Sequence, residues 1–194
     1  GMNTSGQGAH VGGDGMDSAL FNSSVHGMGS DGEEVEVDRP IVHLWQKHQK
    51  DSPGHGKYRG GASGYMGSII YGVPYLKRGY MGVRGRMLVG QGIFGGYPPF
   101  STPGVTVNKT NLLELMAKGE KELPTSTKAV IKERVIEGDY QLHTSERAPE
   151  LIYEGALKGD AGRGGGHGYG DVLERDPKSV VDDMRNEIIS DWTA

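Results

Sequence analysis

Gly162-Arg-Gly-Gly-Gly-His-Gly-Tyr-Gly-Asp-Val-Leu-Glu-Arg-Asp176, followed by Pro177, is the stretch around which the chain is organised. Six of its first nine residues are glycine. Glycine reaches backbone angles closed to other residues and lets a second backbone or a ligand come close. Consecutive free N–H groups in such a loop can line an anion-binding concavity. The loop ends at a helix start, because Asp176 suits the N-cap and Pro177 the first helical position. Val180, Val181, Met184 and Ile188 then recur at helical spacing, so the pattern predicts a helix over about 177–189. The alternatives at this point are a ligand-shaped loop pinned to an amphipathic helix and a tight chain reversal with packing glycines.

Working outward, the whole chain shares this glycine habit: 34 of its 194 residues are glycine, with no three-residue period, which excludes collagen. Hydrophobic residues make up 35%, a low share for a domain of this length. The net charge of −4 gives no bulk field favouring nucleic acid. The absence of cysteine excludes a disulfide framework and thiolate chemistry, and it suits a reducing cytoplasm. No apolar run is long enough to span a bilayer, and no signal-peptide pattern is visible.

Residues 1–32 are glycine-rich with almost no apolar periodicity. They form a first unit, an extended segment that either is disordered or packs on something larger, a partner or the rest of a parent chain. Within it, His10, Asp14 and Asp17 form His-x3-Asp-x2-Asp, but nothing fixes their spacing as a metal site requires, and no metal ligands are assigned. Residues 33–194 form the second unit. Its apolar residues from Val35 to Trp45 predict a strand over about 34–47, bent at Pro40. His43, His48 and His55 carry no zinc-ligand spacing and are read as surface or strand-face histidines.

Short apolar runs at 66–73, 81–83 and 87–89, broken by glycines, read as strands. Gly90-Gln-Gly-Ile-Phe-Gly95 fits the dinucleotide fingerprint, yet Gly96, Pro98 and Pro99 stand where its helix must start, so a dinucleotide fold is rejected. Asn111 to Lys118 predicts a short helix, capped by Asn111 with Glu114 and ended by Gly119. Strands are expected at 128–136, 140–143 and 151–157. Ser190 and Asp191 look like a new helix cap, with Trp192, Thr193 and Ala194 as its first turn. The chain therefore reads as ending inside an element: one piece of a longer polypeptide, a split gene product, or an engineered fragment. The fold class is α+β and β-rich, mainly antiparallel short strands with long glycine-rich loops, one short central helix and a C-terminal helix.

Several segments together resemble the hydantoinase B / 5-oxoprolinase family, in its C-terminal part. That family includes the large subunits of acetone and acetophenone carboxylases. Gly164 to Pro177 is similar to the family's glycine run and Tyr-Gly-Asp-Pro-Leu-Glu-Arg-Asp-Pro, with Val172 in place of proline and His167 interrupting the glycines. Asp51-Ser-Pro-Gly-His-Gly-Lys-Tyr-Arg-Gly-Gly61 is similar to Asp-Ser-Gly-Gly-x-Gly-Lys-Tyr-Arg-Gly-Gly. Asp14-Gly-Met-Asp17 with Asn22, Gly92 to Gly96, and Val180 to Ser190 match in the same order.

The resemblance implies a cytoplasmic, hetero-oligomeric, ATP-dependent enzyme acting on a ketone, a lactam or a cyclic amide. Its partners would be a hydantoinase A-like ATP-binding subunit and the remainder of the hydantoinase B-like subunit. No membrane and no nucleic acid is involved. ATP and a divalent metal serve the whole complex, none is expected on this chain, and the chain alone should be inactive. Arg163, His167 and Asp171 are the catalytic candidates, as preorganised charges near a substrate cavity. Lys57, Arg59, Gly165, Gly166, Gly168 and Arg175 are the substrate-binding candidates, cations and glycines that could hold a carboxylate or phosphate. Two readings stay open beside this one. One is a purely structural assembly module, in which Arg175 and Asp171 simply pair and brace the helix start. The other is an independent phosphate- or nucleotide-binding protein.

Overall fold

The computed structural model describes residues 4–19, 31–80, 90–144, 147–160 and 164–194. The expected strands at 81–83 and 87–89 lie outside the described residues. Five strands form the main sheet: β1 (Ile41–His48), β2 (Gly64–Ile70), β4 (Gly104–Asn108), β5 (Asp139–His143) and β7 (Leu157–Gly159), in the order β1-β2-β7-β4-β5. Every neighbouring pair is antiparallel. A separate antiparallel ribbon joins β3 (Tyr75–Tyr80) to β6 (Arg147–Tyr153). Among the described residues four short helices accompany them: α1 (Gly32–Asp38), α2 (Leu112–Ala117), α3 (Thr127–Glu133) and α4 (Pro177–Arg185). The fold is β-rich α+β, as the sequence predicts, with two more short helices than expected.

Alternation along the strands divides the sheet into two unlike faces. One face carries Trp45, Ile69, Leu157, Val105 and Val107, covered by Leu112 of α2, Val130 of α3 and Ile136. The indole of Trp45 lies across Gly67, where a β-carbon would come within 2.2 Å of the ring. On the other face the register sets His43, Ser68, Lys158 and Thr106 side by side across four strands. This polar row continues from Thr106 to His143 Nε2 at 2.7 Å, while the Lys158 ammonium meets the buried Asp160 carboxylate at 2.5 Å. Asp160 also pairs with Arg78 of β3. Burying these groups is tolerable because each charge meets an opposite one.

Local sequence explains the departures from expectation. Residues 34–38 are helical rather than extended, because the Asp31 side chain accepts from the Glu33 N–H and Glu33 and Glu34 sit favourably at the positive helix end. Residues 127–133 are helical because the Ser126 hydroxyl caps the Ala129 N–H, and Arg134 then turns left-handed. The strand expected over 151–157 is two strands, broken by a turn at Gly155 (φ +77°). In α2 the Asn111 side chain makes no cap; its Oδ1 accepts from Glu137 N–H, and Thr110 Oγ1 takes the Leu112 N–H instead. Helix α4 starts as predicted, with Asp176 Oδ1 accepting from Lys178 N–H and Pro177 at its first position, but it ends at Arg185, short of the expected 189. Val180 and Met184 seat it against Ala62, Ile188 and Ile189, which docks the helix on the glycine loops.

Candidate functional site

Four glycine-bearing segments run against one another: residues 6–16, 52–61, 92–97 and 164–170. Gly54 N–H donates to Gly166 O, Gly60 N–H to Gly54 O, Gly61 N–H to Gln7 O, and Gly166 N–H to Gly61 O, each at 2.8–2.9 Å. Gly168 N–H donates to Tyr97 O, Tyr169 N–H to Tyr58 O, Gly170 N–H to Ile93 O, and Ala9 N–H to His167 O. The glycines are required by closeness. A β-carbon on Gly166 would lie 1.7 Å from Gln7 O, on Gly60 1.9 Å from Gly166 O, on Gly168 1.9 Å from His55 O, and on Gly165 2.2 Å from Ser52 O. None of these four has a positive φ; within the loop of 164–170 only Gly164 and Gly170 do. The N–H groups expected to be free for an anion are thus largely spent on neighbouring carbonyls. The four segments form a cross-linked backbone scaffold.

Charge completes the scaffold. Arg59, 8% exposed, donates to Asp183 at 2.7 Å and to Asp17 at 2.8 Å. Arg175 donates to both oxygens of Asp14 at 2.9 Å and to Asp183 at 2.6 Å. Asp183 of α4 therefore bridges two arginines, and the cluster ties the N-terminal segment, the 52–61 loop and the helix together. Burial alone would raise the Asp14 carboxyl, but the hydrogen bonds and charges of Arg175 and Arg59 outweigh it and hold it below the usual carboxylate range. Two of the binding candidates, Arg59 and Arg175, are thus fully engaged. Asp171 does not pair with Arg175; its carboxylate caps the Leu173 N–H of a single 3₁₀ turn at Val172–Glu174. Lys57 reaches Glu174 at 2.9 Å on the surface. His167 is half-buried with its ring against Gly8, and Arg163 lies outside the described residues. The structure brings Arg59 and Arg175 together through Asp183, and Arg175 Nη1 also donates to the Lys57 carbonyl at 3.3 Å, while the Lys57 ammonium turns to Glu174. Asp14, Asp17 and Asp183 are the partners that sequence reasoning missed, since all the contacts but Arg175–Asp183, eight residues apart, span 42 to 161 residues of chain.

Beside the scaffold lies an open cavity of about 1020 Å³. Pro53, Tyr65, Tyr97, Pro98, Phe100 and Trp192 give it an apolar wall, and Lys50, Asp51, His55, Ser101 and Lys128 supply its polar groups. Asp51 (φ +62°) positions the C-terminal turn, because its carboxylate accepts from Ser190 N–H at 2.7 Å and Thr193 hydroxyl at 2.8 Å. Burial pushes the His55 imidazole below the usual histidine range; Asp51 opposes the shift and Arg175 adds to it. His55 is therefore neutral at pH 7, a proton acceptor facing an apolar space. The Ser101 hydroxyl is buried with no hydrogen-bond partner among the described residues. Large apolar clefts with a few convergent polar groups are the usual form of a small-molecule site.

No family model matches the chain. The chain is 36% identical over 193 residues to the acetophenone carboxylase delta subunit of Aromatoleum aromaticum, covering 100% of this chain and 28% of that subunit. It is 32% identical over 188 residues to the acetone carboxylase alpha subunit of Xanthobacter autotrophicus, covering 92% of this chain and 24% of that subunit. A nucleotide-free structure of acetone carboxylase superposes with a TM-score of 0.83 and 27% identity, over 98% of this chain and 25% of the other. The ATP-dependent caprolactamase of Pseudomonas jessenii shares the fold, with a TM-score of 0.65 at 21% identity over 96% of this chain and 28% of that one. This chain thus spans about a quarter of the length of the proteins it matches, and it is homologous to subunits of the acetophenone and acetone carboxylases.

Proposed function

We propose that this chain is one part of an ATP-dependent ketone carboxylase of the acetone or acetophenone type, within the hydantoinase B / oxoprolinase family, and that it matches the C-terminal part of the large subunit. Its role is to supply a wall of the substrate cavity and contacts to the rest of the complex. The observation that carries this reading is the similarity along the whole chain to two ketone carboxylase subunits. The apolar cavity beside His55 supports it, since a ketone needs an apolar pocket with few polar groups. A cyclic-amide hydrolase is the neighbouring possibility within the family, and the fold shared with caprolactamase is compatible with it.

Among the described residues no three His, Asp or Glu side chains converge as a metal ion needs. The carboxylates of Asp14 and Asp17 are held by Arg175 and Arg59. The described residues do not fit a metal site, and the reading assigns ATP and the divalent metal to other parts of the complex, with a hydantoinase A-like subunit binding the nucleotide. A purely structural module is the second reading. It is favoured by the use of most of the loop's N–H groups on neighbouring carbonyls and by the carboxylate partners of Arg59 and Arg175. Steady-state turnover of the reconstituted complex with His167→Ala separates the two. A loss of tenfold or more supports a role for His167 in chemistry, and unchanged kcat and KM leave the chain as scaffold only.

A further inference from the structure

The open side of the cavity carries three aromatic side chains that a finished surface would not leave in water. Tyr97 is 55%, Phe100 62% and Trp192 94% exposed, and all three line the same space. Scattered exposed apolar residues are ordinary, but a cluster of large aromatics framed by Pro53, Pro98 and Pro103 is the composition of an interface core. Charge adds direction. Lys50 and Lys128 line the same cavity, are exposed, and meet no carboxylate within ion-pair distance among the described residues. The one acidic group in the lining, Asp51, accepts from Ser190 and Thr193, keeps its charge and interacts electrostatically with Lys128. The rim is therefore apolar with a net positive charge, two lysines against one carboxylate.

We infer that this rim is the seat of a polypeptide segment with apolar side chains flanked by Asp or Glu, drawn from the portion of a carboxylase-type subunit that this chain does not contain. Homologous subunits are roughly four times as long, so most of their length is available to cover the face. Aromatic anchors fit a chain segment, because Trp and Tyr bury large area at low entropy cost and dominate binding energy. The acidic flanks of the segment pair with Lys50 and Lys128, steering and aligning it. The cavity next to His55 is then closed by protein on that side and lies at an interface. This inference rests on the carboxylase reading above and adds the surface and the chemistry of what binds it.

The test incorporates benzoylphenylalanine at position 192 or 100 of the tagged full chain in its native cells, with position 121 as the control. Crosslinked peptides are mapped by mass spectrometry. The expected peptide is apolar, bears Asp or Glu, and falls in the carboxylase-homologous sequence missing here, with no such crosslink from position 121. The double variant Lys50→Glu/Lys128→Glu lowers recovery of that partner sequence at least tenfold, whereas Lys121→Glu does not. Circular dichroism verifies that each variant is folded. Crosslinks only to a second copy of this chain, or no crosslink at 192 and 100 while carboxylase subunits still co-purify, overturn the inference and leave the carboxylase reading standing. If no carboxylase subunit co-purifies at all, both fail.

Discussion

A methyl group on Gly166 would sit 1.7 Å from Gln7 O, and neither backbone can withdraw without breaking the hydrogen bonds that join the segments. Gly119 has nothing within 4 Å of the same methyl position but has φ +72°. The two substitutions to alanine therefore separate closeness from conformation. Gly166→Ala should cost about 3 kcal/mol, the upper range for overpacking, and Gly119→Ala about 1 kcal/mol, the cost of a left-handed alanine. Urea denaturation of the folded chain measures both. Arg175→Met leaves Asp14 and Asp183 short of a partner in a site where Arg175 is 7% exposed, and should cost about 3–5 kcal/mol in the same assay. The Asp14 carboxyl has a folded pKa below its unfolded value, so its contribution to stability is present above the unfolded pKa and fades as pH falls through the folded one. Stability of the native chain should drop as pH falls below about 4, and Asp14→Asn should flatten that part of the profile.

The helices show how far local chemistry decides structure in this chain. Ser126→Ala removes the hydroxyl that receives Ala129 N–H and should destabilise by about 1 kcal/mol, measured by thermal unfolding of the variant against the parent. Helix α4 was legible because cap, proline and 3.6-residue spacing agree. Helix α3 was not, because its valine and isoleucine mimic a strand and only the cap at Ser126 decides otherwise. Strand β4 escaped notice for a different reason. Gly104 to Val107 are all buried, so no alternation marks them, and only their place in the middle of the sheet makes them a strand. The motifs around Lys57, Arg59 and His167 were legible as motifs. Their meaning was not, since Arg59 meets Asp17 and Asp183, and Arg175 meets Asp14, from distant parts of the chain.

At the scale of the molecule, the glycine segments act as a rigid frame between α4, the N-terminal residues and the cavity wall. Closely stacked backbones let four segments meet in the space that side chains would otherwise fill. That frame holds Tyr97, Phe100, His55 and Trp192 around an opening that faces outward. Similarity along the whole chain to subunits about four times its length agrees with an element that functions within something larger. The most direct measurement is ATP hydrolysis by the complex isolated through the tagged chain, assayed with and without a ketone and bicarbonate. The account predicts that ketone and bicarbonate stimulate hydrolysis in the isolated complex and that the purified chain alone hydrolyses nothing. Recovery of the chain without carboxylase-type partners, or ketone-dependent turnover by the chain on its own, would contradict it.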